Sequence, residues 1–192
     1  MKTLQKIWTD LSAAGYKTDK GDVHSYLPIY EDILAPYRET ALNVLEIGLF
    51  NGHSMRMWEE YYIKAVVHGI DCDLQPHGGL ADLKPMMEEG GHCIYIMNAE
   101  DSEMVKNIFK DVKFDVIIDD AGHHIEQQLN LFKIFKEYLS DGGIYIIEDI
   151  QDLDEDIHLF RTIDDEMAAE IIDRRHIKNR YDDVMVVIRK SL

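Results

Sequence analysis

The chain has 192 residues, with 20 Lys plus Arg against 37 Asp plus Glu and a formal net charge of -17. This length suits one domain spanning residues 1–192, and the acidic balance argues against nucleic acid or an anionic membrane as a partner. No apolar run is long enough to cross a membrane, and no secretion signal is visible. With only two cysteines, these features favour a cytoplasmic protein.

The first 40 residues predict a helical cap packed on this domain. Leu4 to Ala14 is amphipathic, and a second helix is predicted over Tyr26 to Tyr37. Between the two helices lies a polar stretch, Thr18 to Tyr26, that has no clear period.

A short apolar strand and a glycine turn follow, over Asn43 to Gly52. The strand has the continuous apolar character of one buried on both faces, and Gly48 and Gly52 allow a sharp turn into a helix. A dinucleotide fingerprint would need two further glycines, where this sequence has Phe50 and His53. The turn therefore predicts a ligand site at a strand end, without the NAD pattern.

The rest of the chain alternates strands and helices, which predicts a Rossmann-like α/β fold. We expect a seven-stranded, mostly parallel sheet with helices on both faces and a C-terminal antiparallel strand. The six further strands are predicted over Ala65–Ile70, His92–Met97, Phe114–Asp119, Gly143–Glu148, Glu170–Arg175 and Val184–Arg189. The helices are predicted over Leu80–Glu89, Asp101–Lys110 and Ile125–Leu139, and around Asp164, with a loop over Leu74–Gly79.

Polar residues end the second and third strands, at the sheet edge where doubly wound folds bind ligands. Asp71 follows the glycine turn by about 20 residues, the position of a carboxylate that accepts hydrogen bonds from ribose hydroxyls. This position fits S-adenosylmethionine and NAD equally. Asn98 and Ala99 end the third strand, where an adenine contact is a weaker prediction.

Two acidic pairs, Asp119-Asp120 and Glu148-Asp149, end the fourth and fifth strands. If those strands are neighbours, four carboxylates lie together and repel one another unless they are protonated, paired with cations or bound to a metal. An all-oxygen set favours a hard ion such as Mg2+. Solvated loop acids are the alternative, but His123, three residues after Asp120, favours a metal site.

As a set, these motifs resemble the metal-dependent sugar O-methyltransferases of macrolide biosynthesis, which are class I enzymes using S-adenosylmethionine. The cephalosporin-hydroxylase-like group is similar too. The motifs are Thr18-Asp19-Lys20-Gly21 with His24 and Tyr26, Leu45-Glu46-Ile47-Gly48, Gly69-Ile70-Asp71, Asp119-Asp120-x-x-His123, Glu148-Asp149 and Arg180-Tyr181-Asp182-Asp183. The last of these is expected to be a hairpin turn rather than the substrate mouth.

The resemblance implies roles for individual residues. It makes Asp120, Glu148 and Asp149 the Mg2+ ligands and His123 the general base, with the adjacent His124 as an alternative base. Lys20 is expected to meet the methionine carboxylate or else to lie in a surface loop. The implied cofactor-binding residues are Lys20, Tyr26, Glu46, Gly48, Gly52, Ser54, Asp71, Asn98, Ala99 and Asp119.

Two departures from the family matter. The usual Asp-Asp-Gly-Ser-His is Asp-Asp-Ala-Gly-His here, and the macrolide enzymes have a large extra N-terminal domain that this sequence lacks. We therefore expect Mg2+-dependent methyl transfer from S-adenosylmethionine to a hydroxyl of a small-molecule sugar or a glycan, with the exact acceptor and any homo-oligomer left open. An NAD-linked sugar oxidoreductase or epimerase and a non-catalytic nucleotide-binding module are the alternatives.

Overall fold

A computed structural model describes residues 1–72 and 92–191. Within these ranges seven strands form one sheet in the order β3-β2-β1-β4-β5-β7-β6. Neighbouring strands run parallel from β3 to β5, and β7 is antiparallel to both β5 and β6, which confirms the predicted architecture. The strands are β1 Asn43–Ile47, β2 Val66–Asp71, β3 His92–Ile96, β4 Phe114–Asp119, β5 Leu139–Ile147, β6 Ala168–Asp173 and β7 Val184–Arg189.

Helices connect the strands and precede the first one. In chain order they are α1 Leu4–Ala13, α2 Asp19–Asp22, α3 Leu27–Leu34, α4 His53–Tyr61, α5 Ser102–Phe109, α6 Ile125–Phe135, α7 Leu153–Arg161 and α8 Arg175–Lys178, with short 3-10 turns at Ala35–Tyr37 and Lys136–Tyr138. Across residues 1–72 and 92–191, no helix combines the length and apolar character needed to cross a bilayer. The helix predicted over Leu80–Glu89 and the loop before it lie outside the described residues.

The helix predicted around Asp164 is wrong, because α7 ends at Arg161. Asp164 instead accepts backbone hydrogen bonds from Glu166 and Met167 at 2.8 and 3.1 Å, which stabilises a turn. Three acidic residues in the first turn of α7 lie at the positive end of the helix dipole and favour a helix there.

Two apolar cores lie on the two faces of the sheet. One core joins α1, α3 and α4 to the sheet and includes Tyr30 and Trp58. The other is built on α5, α6 and α7 and includes Phe132 and Phe160. The N-terminal helices α1 and α3 therefore belong to a core, and the part of this segment that reaches the cavity described below lies within residues 17–23.

The order of the strands reverses between β1 and β4, so the chain leaves these neighbours in opposite directions and a crevice opens between them. Gly48 lies at that point, with a φ of 89°. Its Cα packs against the backbone of the β4 turn, where an added Cβ would overlap Asp120 O and lie 2.7 Å from Ala121 Cα. The glycine is thus required both by its backbone angle and by the close approach of the two turns.

Candidate active site

A cavity of about 880 Å³ opens at the carboxyl ends of β1, β2 and β4. Five of the predicted cofactor residues line it, and so do two residues predicted for catalysis, Asp120 and His123. The five are Gly48, Ser54, Asp71, Asn98 and Ala99. The structure thus brings the glycine turn and the acidic turn after β4 together around one space.

Asp71 orders the glycine turn from the end of β2. Its Oδ2 accepts hydrogen bonds from the backbone amides of Leu49 and Phe50 at 2.8 and 3.1 Å. Phe50 has a φ of 50° and its side chain is exposed at the cavity. This structural role of Asp71 adds to the ribose contact expected from the sequence.

Five of the predicted cofactor residues do not line the cavity. Gly52, with a φ of 70°, is the N-cap residue immediately before α4, while Glu46 is buried and accepts a hydrogen bond from Ser54 Oγ at 2.7 Å. Asp119 accepts a hydrogen bond from the Tyr145 hydroxyl at 3.1 Å, and burial raises its pKa to about 7. The remaining two, Lys20 and Tyr26, lie among the acidic residues of β4 and β5.

Lys20 is fully buried and is a counterion of three carboxylates. Its Nζ lies 2.9 Å from Glu148 Oε2 and 3.5 Å from Glu46 Oε1, and it also bonds Asp120 Oδ2. Burial alone would lower the pKa of Lys20, but the carboxylates outweigh it and hold the pKa well above its usual value. The ammonium is therefore not placed for the expected contact with a methionine carboxylate, because three acids of the protein already bind it.

A compact group of possible metal ligands lies beside this ion pair. β4 and β5 are neighbours, as the metal hypothesis requires, with Asp119 opposite Ile147. Donor atoms of Asp120, His123 and Asp149 all lie within 4.8 Å of one another. His123 Nε2 is 3.8 Å from Asp149 Oδ2.

Glu148 is not part of this group, although the resemblance implies that it binds the metal. Lys20 bonds one of its oxygens, and the Tyr30 hydroxyl bonds the other. The side chain therefore points into the core on the α3 side of the sheet. Gln128, also buried, donates to the backbone carbonyl of Glu148 at 3.0 Å and fixes the end of β5.

The acidic cluster carries more negative charge than Lys20 can balance. Burial raises the pKa of both Glu46 and Asp149 to about 7, and it raises that of Glu148 well above the usual range. Repulsion from Asp120 contributes to the raised pKa of all three carboxyl groups. Because a bound cation would offset both the burial of negative charge and the repulsion between the acids, the carboxylate oxygens of Asp120 and Asp149 fit a hard divalent ion such as Mg2+.

Of the two adjacent histidines, only His123 lines the main cavity. His124 is exposed at the start of α6. The structure therefore favours His123 over its neighbour as the residue that meets a ligand in this space.

Tyr26 and His24 form a second layer behind Asp149. The Tyr26 hydroxyl donates to Asp149 Oδ1 at 2.7 Å, and the His24 ring stacks on Tyr26 with centroids 4.7 Å apart. Burial lowers the pKa of His24, which favours a neutral imidazole. Neither ring nitrogen has a hydrogen-bond partner among the described residues.

The connection between β6 and β7 hydrogen-bonds to residues 21–25 of the N-terminal segment and holds them in place. Asp183 accepts hydrogen bonds from the Ser25 amide at 3.0 Å and from its hydroxyl at 2.6 Å. Lys178 Nζ donates to three carbonyl oxygens, those of Gly21, Asp22 and His24, at 2.6 to 3.3 Å. The Arg180 to Asp183 stretch is a turn, as predicted, and none of its residues lines the main cavity.

Sequence analysis missed Tyr30 and Gln128. Tyr30 had a detectable signal, because it lies four residues after Tyr26 and so on the same face of a helix. The hydrogen bond from Gln128 to the end of β5 joins two separate elements, and no local pattern reveals it.

Comparison with known proteins agrees with this geometry. A methyltransferase domain family matches residues 45–150, more than half of the chain. The 8-demethyl-8-alpha-L-rhamnosyl tetracenomycin-C 2'-O-methyltransferase of Streptomyces olivaceus is 29% identical over 147 residues, covering 72% of this chain and 36% of that protein. The mycinamicin VI 2''-O-methyltransferase of Micromonospora griseorubida is 26% identical over 150 residues, covering 74% and 35%. The chain thus spans a little over a third of the length of these relatives.

Solved structures share the fold. The MycE methyltransferase from the mycinamycin biosynthetic pathway, in complex with Mg and SAH, superposes with a TM-score of 0.71 at 19% identity, over 99% of this chain and 55% of that chain. An O-methyltransferase from Bacillus cereus in complex with SAH gives 0.66 at 17% identity, over 98% and 90%. The chain therefore belongs to the methyltransferase domain family, with the Rossmann-like fold of the class I enzymes that its motifs resemble.

Proposed function

We propose that this protein is an S-adenosylmethionine-dependent O-methyltransferase that methylates a hydroxyl group of a sugar or glycan. One observation carries the proposal: a single cavity is lined by the glycine turn with Asp71 and by Asp120 with His123. A cofactor bound at the glycine turn and Asp71 would lie next to any group bound at Asp120 and His123. Such proximity is what transfer between two bound molecules requires.

The relatives support the same reaction. The similar proteins of Streptomyces olivaceus and Micromonospora griseorubida are named as O-methyltransferases, the first acting on a rhamnosyl tetracenomycin. MycE is known in complex with Mg, SAH and mycinamycin VI. Since this chain spans a little over a third of such relatives, the proposal covers a sugar hydroxyl as a class and no particular acceptor.

The glycine turn and its neighbours form the proposed cofactor side. S-adenosylmethionine, when bound, supplies the electrophilic methyl group. Asp71, which holds the amides of Leu49 and Phe50 in place, would accept hydrogen bonds from the ribose hydroxyls. Asn98 and Ala99, at the end of β3, provide the wall for the adenine.

Asp120 and Asp149 are the proposed Mg2+ ligands. The ion, when bound, supplies a Lewis acid that lowers the pKa of a nearby hydroxyl. Glu148 and Lys20 form a buried ion pair directly behind Asp120, which fixes the direction of that carboxylate. Glu148 thus supports the site from the core.

His123 is the proposed general base. Its imidazole lies 3.8 Å from Asp149 and lines the cavity, so it can accept the proton of an acceptor hydroxyl there. A histidine suits this task because its side chain titrates near neutral pH. The reaction then yields a methyl ether, S-adenosylhomocysteine and one proton on the imidazole.

Calorimetric titration tests the cofactor before an acceptor is known. We expect S-adenosylmethionine and S-adenosylhomocysteine to bind, with and without Mg2+, and NAD not to bind. Binding of NAD alone would overturn the proposal in favour of an oxidoreductase or epimerase. Binding of neither would leave it without support and favour a non-catalytic module.

A pair of adjacent variants tests the base. With radiolabelled S-adenosylmethionine, Mg2+ and a panel of glycosides, His123→Ala is expected to lower kcat by about 10²-fold to 10⁴-fold, the usual contribution of general-base catalysis. His124→Ala is the matched control and should retain turnover, because His124 is exposed outside the main cavity. Equal losses in both variants would refute the assignment.

A further inference from the structure

We propose that Asp19, His24 and Asp149 form a second divalent-cation site, distinct from the Asp120–His123–Asp149 group but sharing Asp149 with it. One donor atom from each of the three side chains lies within 4.8 Å of the other two. The inference goes beyond methyl transfer, since it concerns what the protein binds, although it shares a carboxylate with the proposed Mg2+ site.

His24 provides the observation that points to a ligand. The side chain is 1% exposed, and neither of its ring nitrogens has a hydrogen-bond partner among the described residues. A buried polar group left unsatisfied costs about 1–3 kcal/mol. Such a group at the edge of an acidic cluster is best explained by a ligand that accepts its lone pair.

The spacing around His24 fits an ion better than a direct hydrogen bond. Its Nδ1 lies 3.4 Å from Asp149 Oδ1, beyond the usual range of about 2.7–3.2 Å for such bonds. Two donors that each bind one cation at about 2.1 Å lie roughly 3.0–3.4 Å apart in octahedral or tetrahedral geometry. The observed separation is at the upper end of that range.

Asp183, a further acid near His24, already has hydrogen-bond partners, as Asp149 does through the Tyr26 hydroxyl. Asp183 Oδ1 lies 3.6 Å from His24 Nδ1, but the amide and hydroxyl of Ser25 donate to its two oxygens. Asp19 is exposed in the first turn of α2 and also lines the main cavity, so an ion can reach the group from solvent. His24 Nδ1 therefore lies nearer to Asp149 Oδ1 than to Asp183 Oδ1, and Asp19 completes the group on the cavity side.

Asp149 is placed to bridge two ions. Its Oδ1 lies 3.4 Å from His24 Nδ1 and also accepts the hydrogen bond of the Tyr26 hydroxyl, and its Oδ2 lies 3.8 Å from His123 Nε2. Its backbone has a φ of 56°, a left-handed conformation that costs energy for residues other than glycine, although less for Asp and Asn than for most, and that recurs at functional sites. Sites with two metal ions about 3.5–4 Å apart are common in enzymes that act on oxygen atoms of their substrates.

The donor set indicates which ion binds. An imidazole with two carboxylates suits Mn2+ or Zn2+, whereas the neighbouring proposed site, where His123 serves as the base, offers only the carboxylate oxygens of Asp120 and Asp149 and so suits Mg2+. We therefore expect the chain to bind two Mn2+ ions at saturation. With Mg2+, by contrast, we expect one ion per chain, bound by the carboxylate oxygens of Asp120 and Asp149.

Metal counting tests the proposal without any acceptor. The whole chain is dialysed against Mn2+, and bound metal is measured by mass spectrometry. We expect two ions per chain for the native protein and one for Asp19→Asn and for His24→Gln. Asp22→Asn is the matched control, an exposed acid on the same helix outside the group, and should retain two.

Asp19→Asn keeps the test decisive if His24→Gln fails to fold, since Asp19 is exposed. Two ions sharing Asp149 should also show spin coupling in the Mn2+ electron paramagnetic resonance spectrum, which Asp19→Asn should remove. The second site would be overturned if the native protein bound only one ion, and if Asp120→Asn lost that ion while Asp19→Asn kept it. The proposed function would then still stand. Failure to bind S-adenosylmethionine would instead overturn the proposed function without changing the metal count.

Discussion

Replacing Gly48 by alanine tests the close contact between the glycine turn and the acidic turn. A φ of 89° costs a residue with a Cβ about 1–2 kcal/mol. The new Cβ would also overlap the backbone of Asp120, lying 2.6 Å from its carbonyl carbon, and no side-chain rotation can relieve that contact. Overpacking of this kind adds about 1–3 kcal/mol, so we expect a total loss of roughly 2–5 kcal/mol in the free energy of unfolding.

Gly15→Ala is the matched control. Gly15 has a φ of 99°, but apart from its own atoms and its chain neighbours no heavy atom of the described residues lies within 4 Å of the position of an added Cβ. It should therefore lose only the backbone cost of about 1–2 kcal/mol. Replacing glycine by alanine also reduces the conformational entropy of the unfolded chain, which stabilises both variants by the same amount. This contribution cancels when the free energies of unfolding of the two variants are compared.

Urea unfolding followed by circular dichroism gives both free energies by linear extrapolation. Calorimetry with S-adenosylmethionine then shows whether the turn still forms the cavity wall, and we expect weaker binding only for Gly48→Ala. If Gly48→Ala destabilises the protein no more than Gly15→Ala, the contact with Asp120 does not constrain the site and the reasoning is refuted.

Three further predictions concern Asp71, His68 and the cation. Asp71→Ala should weaken S-adenosylmethionine binding in calorimetry at least tenfold, because the amides of Leu49 and Phe50 lose their acceptor together with the proposed ribose contact, and unchanged affinity would contradict this. Burial lowers the pKa of His68 to about 4, so the unfolded chain binds a proton at this histidine more readily than the folded protein does. The neutral His68 side chain therefore contributes stability above pH 6.5, and this stability is lost as the pH falls toward 4. Between pH 6.5 and 5, the free energy of unfolding of the native protein in urea should fall by up to about 2 kcal/mol more than that of His68→Gln. If the free energies of the two proteins fall in parallel over this pH range, His68 does not have this effect. Mg2+ at about 100 times its Kd should stabilise the EDTA-treated protein by about 2.7 kcal/mol in the same assay, and Asp120→Asn should abolish that gain; a gain of equal size in the variant would remove Asp120 from the site.

Features at the strand ends could be predicted from the sequence, because the apolar runs define where each strand stops. Asp71 and Asp120 follow such runs directly, and a parallel sheet brings its carboxyl ends to one edge. The helix around Asp164 was wrong because the acidic segment before it was treated as irregular. Those acids are favourable in a first helical turn, a signal that was present in the sequence.

The position of Lys20 could not be predicted. Its partners Asp120 and Glu148 are 100 and 128 residues away in the chain, and no local pattern encodes such a contact. A lysine in a polar, glycine-containing stretch has the sequence character of a surface residue or a ligand contact. Only the three-dimensional structure shows that three buried or partly buried carboxylates share the charge of one ammonium.

The hydrogen bonds between Ser25 and Asp183 determine when the site can assemble during folding. They join residues 158 positions apart, so the chain must close a very long loop before they form. Contacts of such high sequence separation are slow to form, whereas β1, β2 and β4 can pair over shorter distances. We expect the parallel sheet and its cavity to appear first and the segment carrying Asp19, Lys20 and His24 to dock last. Ligand binding would then be acquired in the final step of folding, after most of the apolar surface is already buried.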